Sequence, residues 1–165
     1  YWLNYDDEKM AAMIDKEMDA AKGTRLHALA AMLIKEGVKL PDTTQTLNLY
    51  VNDCIGFRME VERILYYSPF AFGTADAIAF RDRVLQIFDL KNGKIMAKEE
   101  QLEIYAALFC LEYRVKPGEI EYDLRFYQHD QIYYVETSAD RIAHIMERYE
   151  YANRLLMARR EEMFA

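Results

Sequence analysis

Asp76, Asp89 and Lys91 are the residues of this chain best suited to chemistry. The run Gly73-Thr74-Ala75-Asp76 is followed, thirteen positions after Asp76, by Asp89, with Leu90 and Lys91 behind it. The stretch reads as strand, turn, strand. Residues i and i+2 of a strand share a face, so Leu90 turns into the core while Asp89 and Lys91 lie side by side. Asp76, on the preceding strand of a hairpin, can reach the same cluster. Two carboxylates held together are unfavourable without a cation. Magnesium takes oxygen ligands and keeps several waters, so two carboxylates and a substrate phosphate suffice. Such an ion polarises a phosphoryl oxygen and acidifies a water, and Lys91 could orient that water or offset transition-state charge. The pattern points to hydrolysis of a phosphodiester. A bare Asp-x-Lys triplet also reads as an exposed ion pair at a strand end. The acid at hairpin distance, behind Gly73-Thr74, weighs against that.

Other residues could join this cluster. Glu62 lies one strand earlier, fourteen residues ahead of Asp76, and could be a third carboxylate ligand. Glu60 has the same facing, so strand parity does not separate the two, and a solvated strand face explains either one alone. His27, in a helix near the start, could complete a metal site or contact phosphate as a neutral imidazole; a lone helical histidine is more often a packed or surface residue. Gln101 and Tyr105 are spaced i, i+4 on a helix, where their polar tips could reach a DNA backbone or the attacking water. Tyr105 also reads as amphipathic core. His129 and His144 have no evident partners. The thirteen tyrosines could stack bases, although strand alternation accounts for most of them. There is no glycine-rich phosphate loop, no Ser/His/Asp arrangement and no zinc spacing.

The elements that must position these residues follow from periodicity. Residues 6–21 have helical composition, and Gly23-Thr24 reads as an interruption, with Thr24 capping a second helix over 25–36 that Gly37 ends. The Pro41-Asp42-Thr43-Thr44 turn starts another helix running to about Phe57. Strands are expected over 59–67, 72–80 and 83–90, with a hairpin turn at Arg81-Asp82 and a further turn at Asn92-Gly93. Helical spacing returns over 98–113. Residues 120–127 alternate, with Ile120, Tyr122, Leu124 and Phe126 facing one way and Glu121, Asp123, Arg125 and Tyr127 the other. A second strand covers 131–137. Thr137-Ser138 with Asp140 opens a long last helix whose apolar stripe is Ile142, Ile145, Met146, Tyr149, Leu156 and Met163. The order is helices, three strands, helix, two strands, helix: an α+β domain around a mixed sheet, with residues 1–165 as one unit.

Composition bounds the function. Hydrophobic residues make up 52% and charged residues 30% of 165, which suits a globular domain rather than a disordered chain. No apolar run approaches the ~20 residues needed to span a bilayer, and no signal peptide is visible at the start. Tyr1 in place of a methionine reads as a chain trimmed from something longer. Cys54 and Cys110 form no CxxC pair, which fits a cytoplasmic protein with reduced thiols, and two thiolates are too few for an iron–sulfur cluster. The net charge of −7 runs against the basic footprint of a DNA binder. A bound cation would offset part of it, and a protein partner or a second copy of the chain could contribute the rest.

In order along the chain stand Gly23-x-x-x-His27, Val61-Glu62, Gly73-Thr74-Ala75-Asp76, Asp89-Leu90-Lys91 and Gln101-x-x-x-Tyr105. Together they resemble the PD-(D/E)xK nuclease superfamily, and within it the RecB-like exonuclease branch; the segment Phe72 to Gly93 looks closest to small phage-encoded members. The resemblance covers roughly residues 23–108. It implies a restriction-endonuclease-like αβββαβ core and phosphodiester hydrolysis with one or two Mg²⁺ or Mn²⁺ ions. It assigns Asp76 and Asp89 as metal ligands, places His27 and Glu62 in the metal shell, and makes Lys91 the catalytic lysine, with Gln101 and Tyr105 on a helix near DNA. There is no proline before an acid in the first motif, and the cluster-forming cysteines of some relatives are absent. The activity implied is a DNA nuclease, exonuclease rather than site-specific endonuclease, leaving 5′-phosphates. The alternative is a nuclease-fold subunit that binds DNA or assembles without cutting.

Overall fold

The chain folds as α+β, in the order αα-βββ-α-ββ-α. The computed structural model describes residues 4–164; Tyr1, on which the expectation of a trimmed chain rests, lies outside them. Five strands, β1 (Glu60–Ser68), β2 (Ala71–Arg81), β3 (Val84–Leu90), β4 (Glu121–Gln128) and β5 (Gln131–Val135), form one sheet in the order β1-β2-β3-β4-β5. All neighbours are antiparallel except β3 and β4. A parallel pair needs a crossover, and here α3 (Glu100–Tyr113) supplies it.

Helices cover both faces, so the central strands are apolar on both sides. On one face, Leu85, Ile87, Leu124 and Phe126 pack with Leu102, Ala106 and Phe109 of α3 and with Ile142 of the last helix, α4 (Ala139–Phe164). On the other, Phe88, Leu90 and Tyr127 pack with Ala30 and Ile34 of α1 (Asp7–Glu36) and with Tyr50, Val51 and Cys54 of α2 (Thr46–Gly56). Each fully buried side chain of this size stabilises the fold by about 1.5–3 kcal/mol.

Three expectations about helices are corrected or refined. First, the two helices expected over 6–21 and 25–36 are one. Asp6 caps it by accepting the Lys9 N–H (2.7 Å), and Gly37, at φ +67°, ends it. Thr24 is no cap: its hydroxyl donates to the Ala20 carbonyl one turn back (3.1 Å). Gly23 costs about 1 kcal/mol of helix propensity relative to alanine. It is there because a Cβ at that position would sit 3.0 Å from Asn92 Oδ1. The glycine marks a close approach, not a break. Second, the N-cap of α2 has no side-chain bond of its own; Asp130, in the β4–β5 turn, accepts from Thr46 N (2.9 Å) and Oγ1 (3.0 Å) instead. Third, the apolar stripe of α4 packs only as far as Tyr149. Leu156 and Met163 are 43% and 76% exposed, because the helix outruns the sheet.

The strands lie close to expectation. The β2–β3 turn sits one residue later, at Asp82-Arg83, both at positive φ as a two-residue I′ turn requires. β5 stops at Val135, since Thr137 donates to Glu103 Oε2 (2.8 Å) and Ser138 Oγ caps α4 through Arg141 N (3.1 Å).

Candidate active site

The site forms where two paired strands separate. The β2–β3 ladder runs from the turn to Ala77↔Phe88 and stops. One step further, the Asp76 carboxylate takes the place of a backbone acceptor: Leu90 N–H donates to Asp76 Oδ2 at 3.0 Å. β3 meanwhile stays paired with β4 to its end, and Lys91 N continues to Tyr127 O. A side chain therefore fills the fork between β2 and β3, and Asp89 stands beside it.

On the α3 side of the fork, Asp89 and Lys91 share a face as strand periodicity dictates. Asp89 is buried at 4% exposure, and Lys91 Nζ lies 2.9 Å from its Oδ2. The same amine donates to Gln101 Oε1 (3.1 Å), and Gln101 Nε2 donates to Tyr105 Oη (2.9 Å). The Tyr105 ring lies directly on β2 at Gly73, where a Cβ would be only 2.9 Å from the ring. Gly73 thus permits the approach that aligns Tyr105, Gln101 and Lys91 in one chain of hydrogen bonds.

On the α1 side, His27 Nε2 lies 3.1 Å from Asp76 Oδ2, and its Nδ1 lies 2.7 Å from the Gly23 carbonyl. Both partners are acceptors, so both ring nitrogens carry hydrogen. The hydrogen bond to Asp76 is the main reason the imidazole is raised to about 9, against burial, which lowers it.

The two carboxylates touch. Burial and then the hydrogen bond and charge of Asp76 raise Asp89 to about 7. Burial also pushes Asp76 up, but hydrogen bonds from His27, Asp89 and Leu90 outweigh it and hold Asp76 at about 2. The two acids thus titrate as a pair, Asp76 staying ionised while Asp89 is pushed up to about 7, as expected of like charges in one site. Burial lowers the Lys91 amine, and the Asp89 charge more than restores it, so it stays cationic.

Glu62 resolves the ambiguity with Glu60. Residue 62 sits at φ +54° inside β1, and such a residue breaks strand alternation. Val61 consequently packs on the α1–α2 side while Leu65 packs on the α3–α4 side. Glu60 points toward α3, bonded to Arg63; Glu62 lines the cleft with His27, Asp76, Thr74, Ile64 and Asn92, a space of about 710 Å³. Its carboxylate is half-exposed and lies 3.8 Å from Lys35 Nζ, so it flanks the fork and is not drawn into it.

The structure thus joins Asp76, Asp89, Lys91, Gln101, Tyr105 and His27 in one connected cluster, with Glu62 across the cleft. Among the described residues, no three His, Cys, Asp or Glu side chains converge on one point as a metal cluster. The acids are bonded in pairs, to His27, to each other and to Lys91. Two contributors were not picked out from the sequence. Asn92 was read only as a turn residue, yet its side chain meets Gly23 and lines the cleft. Lys35 pairs with Glu62 and carried no signal beyond lying near the C-terminus of its helix.

The chain is similar over residues 44–115, less than half its length, to a family described as "Protein of unknown function (DUF2800)". That segment holds α2, β1 to β3 and α3, with Glu62, Asp76, Asp89, Lys91, Gln101 and Tyr105, and leaves out His27. No curated protein and no solved structure matches the chain.

Proposed function

We propose that the chain is a metal-dependent DNA nuclease, an exonuclease by its resemblance, acting at the β2–β3 fork of a restriction-endonuclease-like core. One observation carries the reading. Two carboxylates from separating strands interact so closely that one is raised to about 7, with a lysine ammonium 2.9 Å from it. Like charges so close are unfavourable by themselves, and a divalent cation between them would offset that cost.

The donor set fits Mg²⁺ or Mn²⁺. Asp76 and Asp89 supply the two carboxylates that a largely hydrated Mg²⁺ needs, and Glu62 stands across the cleft as a third. His27 could join only by giving up the proton that now bonds Asp76. When bound, the cation would polarise the scissile phosphate and acidify a water. Asp76 and Asp89 would hold it, both as carboxylates. Lys91, kept cationic, sits where it can orient the attacking water or offset negative charge growing on the phosphate. Gln101 and Tyr105 fix the direction of that amine. Water adds to phosphorus, the P–O3′ bond breaks, the 3′-oxygen takes up a proton, and the phosphate stays on the 5′ side.

The test is hydrolysis of end-labelled linear DNA by purified protein with Mn²⁺, before and after Lys91→Ala. Equal degradation by both would reject the assignment. A second reading has its own observation. His27, Lys91 and Lys35 already neutralise the acids without a metal, as in a nuclease-fold subunit that binds DNA or a protein partner without cutting. Mn²⁺ separates the two: an enzyme gains thermal stability from it and an inactive subunit does not. Among the described residues no helix is long and apolar enough to cross a membrane. A cytoplasmic setting belongs to this proposal, supported by two free, buried cysteines.

A further inference from the structure

An apolar strip leads out of the cleft along the β1–β2 hairpin. Ile64 and Thr74 are paired across the two strands and line the cleft beside Asp76. Two residues further along, Tyr66 is paired with Phe72, and period-two alternation puts both on the face that Ile64 and Thr74 occupy. Their rings are stacked, with centroids 6.3 Å apart and planes 26° from parallel. Ile64 and Phe72 are each 62% exposed and Tyr66 is 48% exposed. The backbone beneath is anchored, for Tyr66 N–H donates to Glu112 of α3. Exposed aromatic rings at a strand end are costly to leave bare, and here they adjoin the cleft on a fixed support.

Charge says what they could hold. At net charge −7, with Asp19, Glu62 and Asp76 outnumbering His27 in the lining of the cleft, the chain has little electrostatic attraction for phosphates. A nucleic-acid strand must then be held largely through its bases, and only an unpaired strand offers base faces to protein side chains.

We propose that Tyr66 and Phe72 form a base-stacking platform for single-stranded DNA leading to the fork. The proposal rests on the nuclease reading for the identity of the polymer. It adds the strand state of the substrate and the face by which it enters. At ~3.3 Å per residue, Phe72 stands about 13 Å along β2 from Asp76, so the stacked bases belong a few nucleotides from the scissile bond.

The experiment is binding of a short fluorescent oligothymidylate in EDTA, where nothing is hydrolysed. Tyr66→Ala with Phe72→Ala should weaken binding on the order of tenfold or more. Tyr66→Trp with Phe72→Trp should restore it. An oligomer of the same length made of abasic sites should bind wild type as weakly as oligothymidylate binds the alanine variant. Equal affinity of wild type and alanine variant, equal affinity for the abasic strand, or no binding by wild type overturns the platform. So does a change of oligomeric state at unchanged affinity, which would mark the strip as a contact between proteins. Ring-dependent binding without Mn²⁺-dependent cleavage would sink the nuclease reading and leave the platform standing. Cleavage that survives the ring substitutions with unchanged binding would do the reverse.

Discussion

On β4 the Arg125 guanidinium donates to both oxygens of Asp123 at 2.8 and 2.9 Å and lies 3.6 Å from Asp53. It also sits over the rings of Phe57, Phe88 and Tyr134. Gln86 also donates to Asp123 Oδ2 and Tyr127 to Asp53 Oδ2. At the β2–β3 fork, by contrast, Asp76 and Asp89 interact directly, and Asp89 is raised to about 7. Both regions bring two acids together within the fold, Asp123 of β4 with Asp53 of α2 and Asp76 of β2 with Asp89 of β3. In the first, one guanidinium serves both acids and is itself covered by aromatic rings. In the second, each acid has its own cation, His27 for Asp76 and Lys91 for Asp89, and the two acids also interact with each other at the edge of an open cleft. On the proposed reading, the first group of charges holds the fold and the second is arranged for a ligand.

Substitutions should expose this difference, and the largest effect belongs to the matched cluster. Arg125→Met strands Asp123 and Asp53 beneath aromatic rings and should cost about 3–5 kcal/mol in urea unfolding. Asp89→Asn at the fork should change stability by less than about 1 kcal/mol or raise it, because it removes a like-charge contact. Finding the two losses equal would erase the distinction.

Lys91→Ala should lower Mn²⁺-dependent DNA hydrolysis by about 10²–10³-fold with the protein still folded, the scale of losing one well-placed transition-state donor. A matching loss with Arg125→Lys at full folding would move the chemistry to β4.

Saturating Mn²⁺ should stabilise wild type by about 2.7 kcal/mol at a hundred times its Kd. A thermal melt of Asp76→Asn should show no such gain. If that variant responds like wild type, the cation is held elsewhere.

Gly73→Ala sharpens the role of the α3 side. The new methyl would press on Tyr105, and overpacking of this kind costs about 1–3 kcal/mol. Activity should fall further than Tyr105→Phe makes it fall, because the whole ring must shift and take Gln101 and Lys91 out of line. Equal activity in Gly73→Ala and wild type would show that the hydrogen-bonded chain is not needed.

The smallest effect on stability belongs to Glu62→Gln. Its exposed pair with Lys35 is worth no more than about 1 kcal/mol. If Glu62 serves the cation, Mn²⁺ affinity should fall while the metal-free melting curve stays in place.

Much of the site was legible because it rests on local periodicities. Asp89 and Lys91 share a face in any strand, and Gln101 and Tyr105 share one in any helix. Misreadings arose where distant contacts overruled local preference. Gly23 looked like a helix break, but Asn92, far along the chain, needs the room that its missing Cβ leaves. Glu60 and Glu62 looked equivalent, but φ +54° at Glu62 divides them, and a non-glycine residue gives no warning of such a backbone. The last helix kept its apolar period past the point where the sheet could cover it.

By itself the sequence determined the order of helices and strands and the acids and amine that could act together, because these depend on repeat lengths of two and 3.6 residues. Only the tertiary structure decided that the ladder ends at Ala77, that Asp76 fills the opening and bonds His27, and that Glu62 rather than Glu60 borders the cleft. Those outcomes depend on where strands separate, which is set by packing and hydrogen bonds between residues far apart in the chain and not by any local repeat.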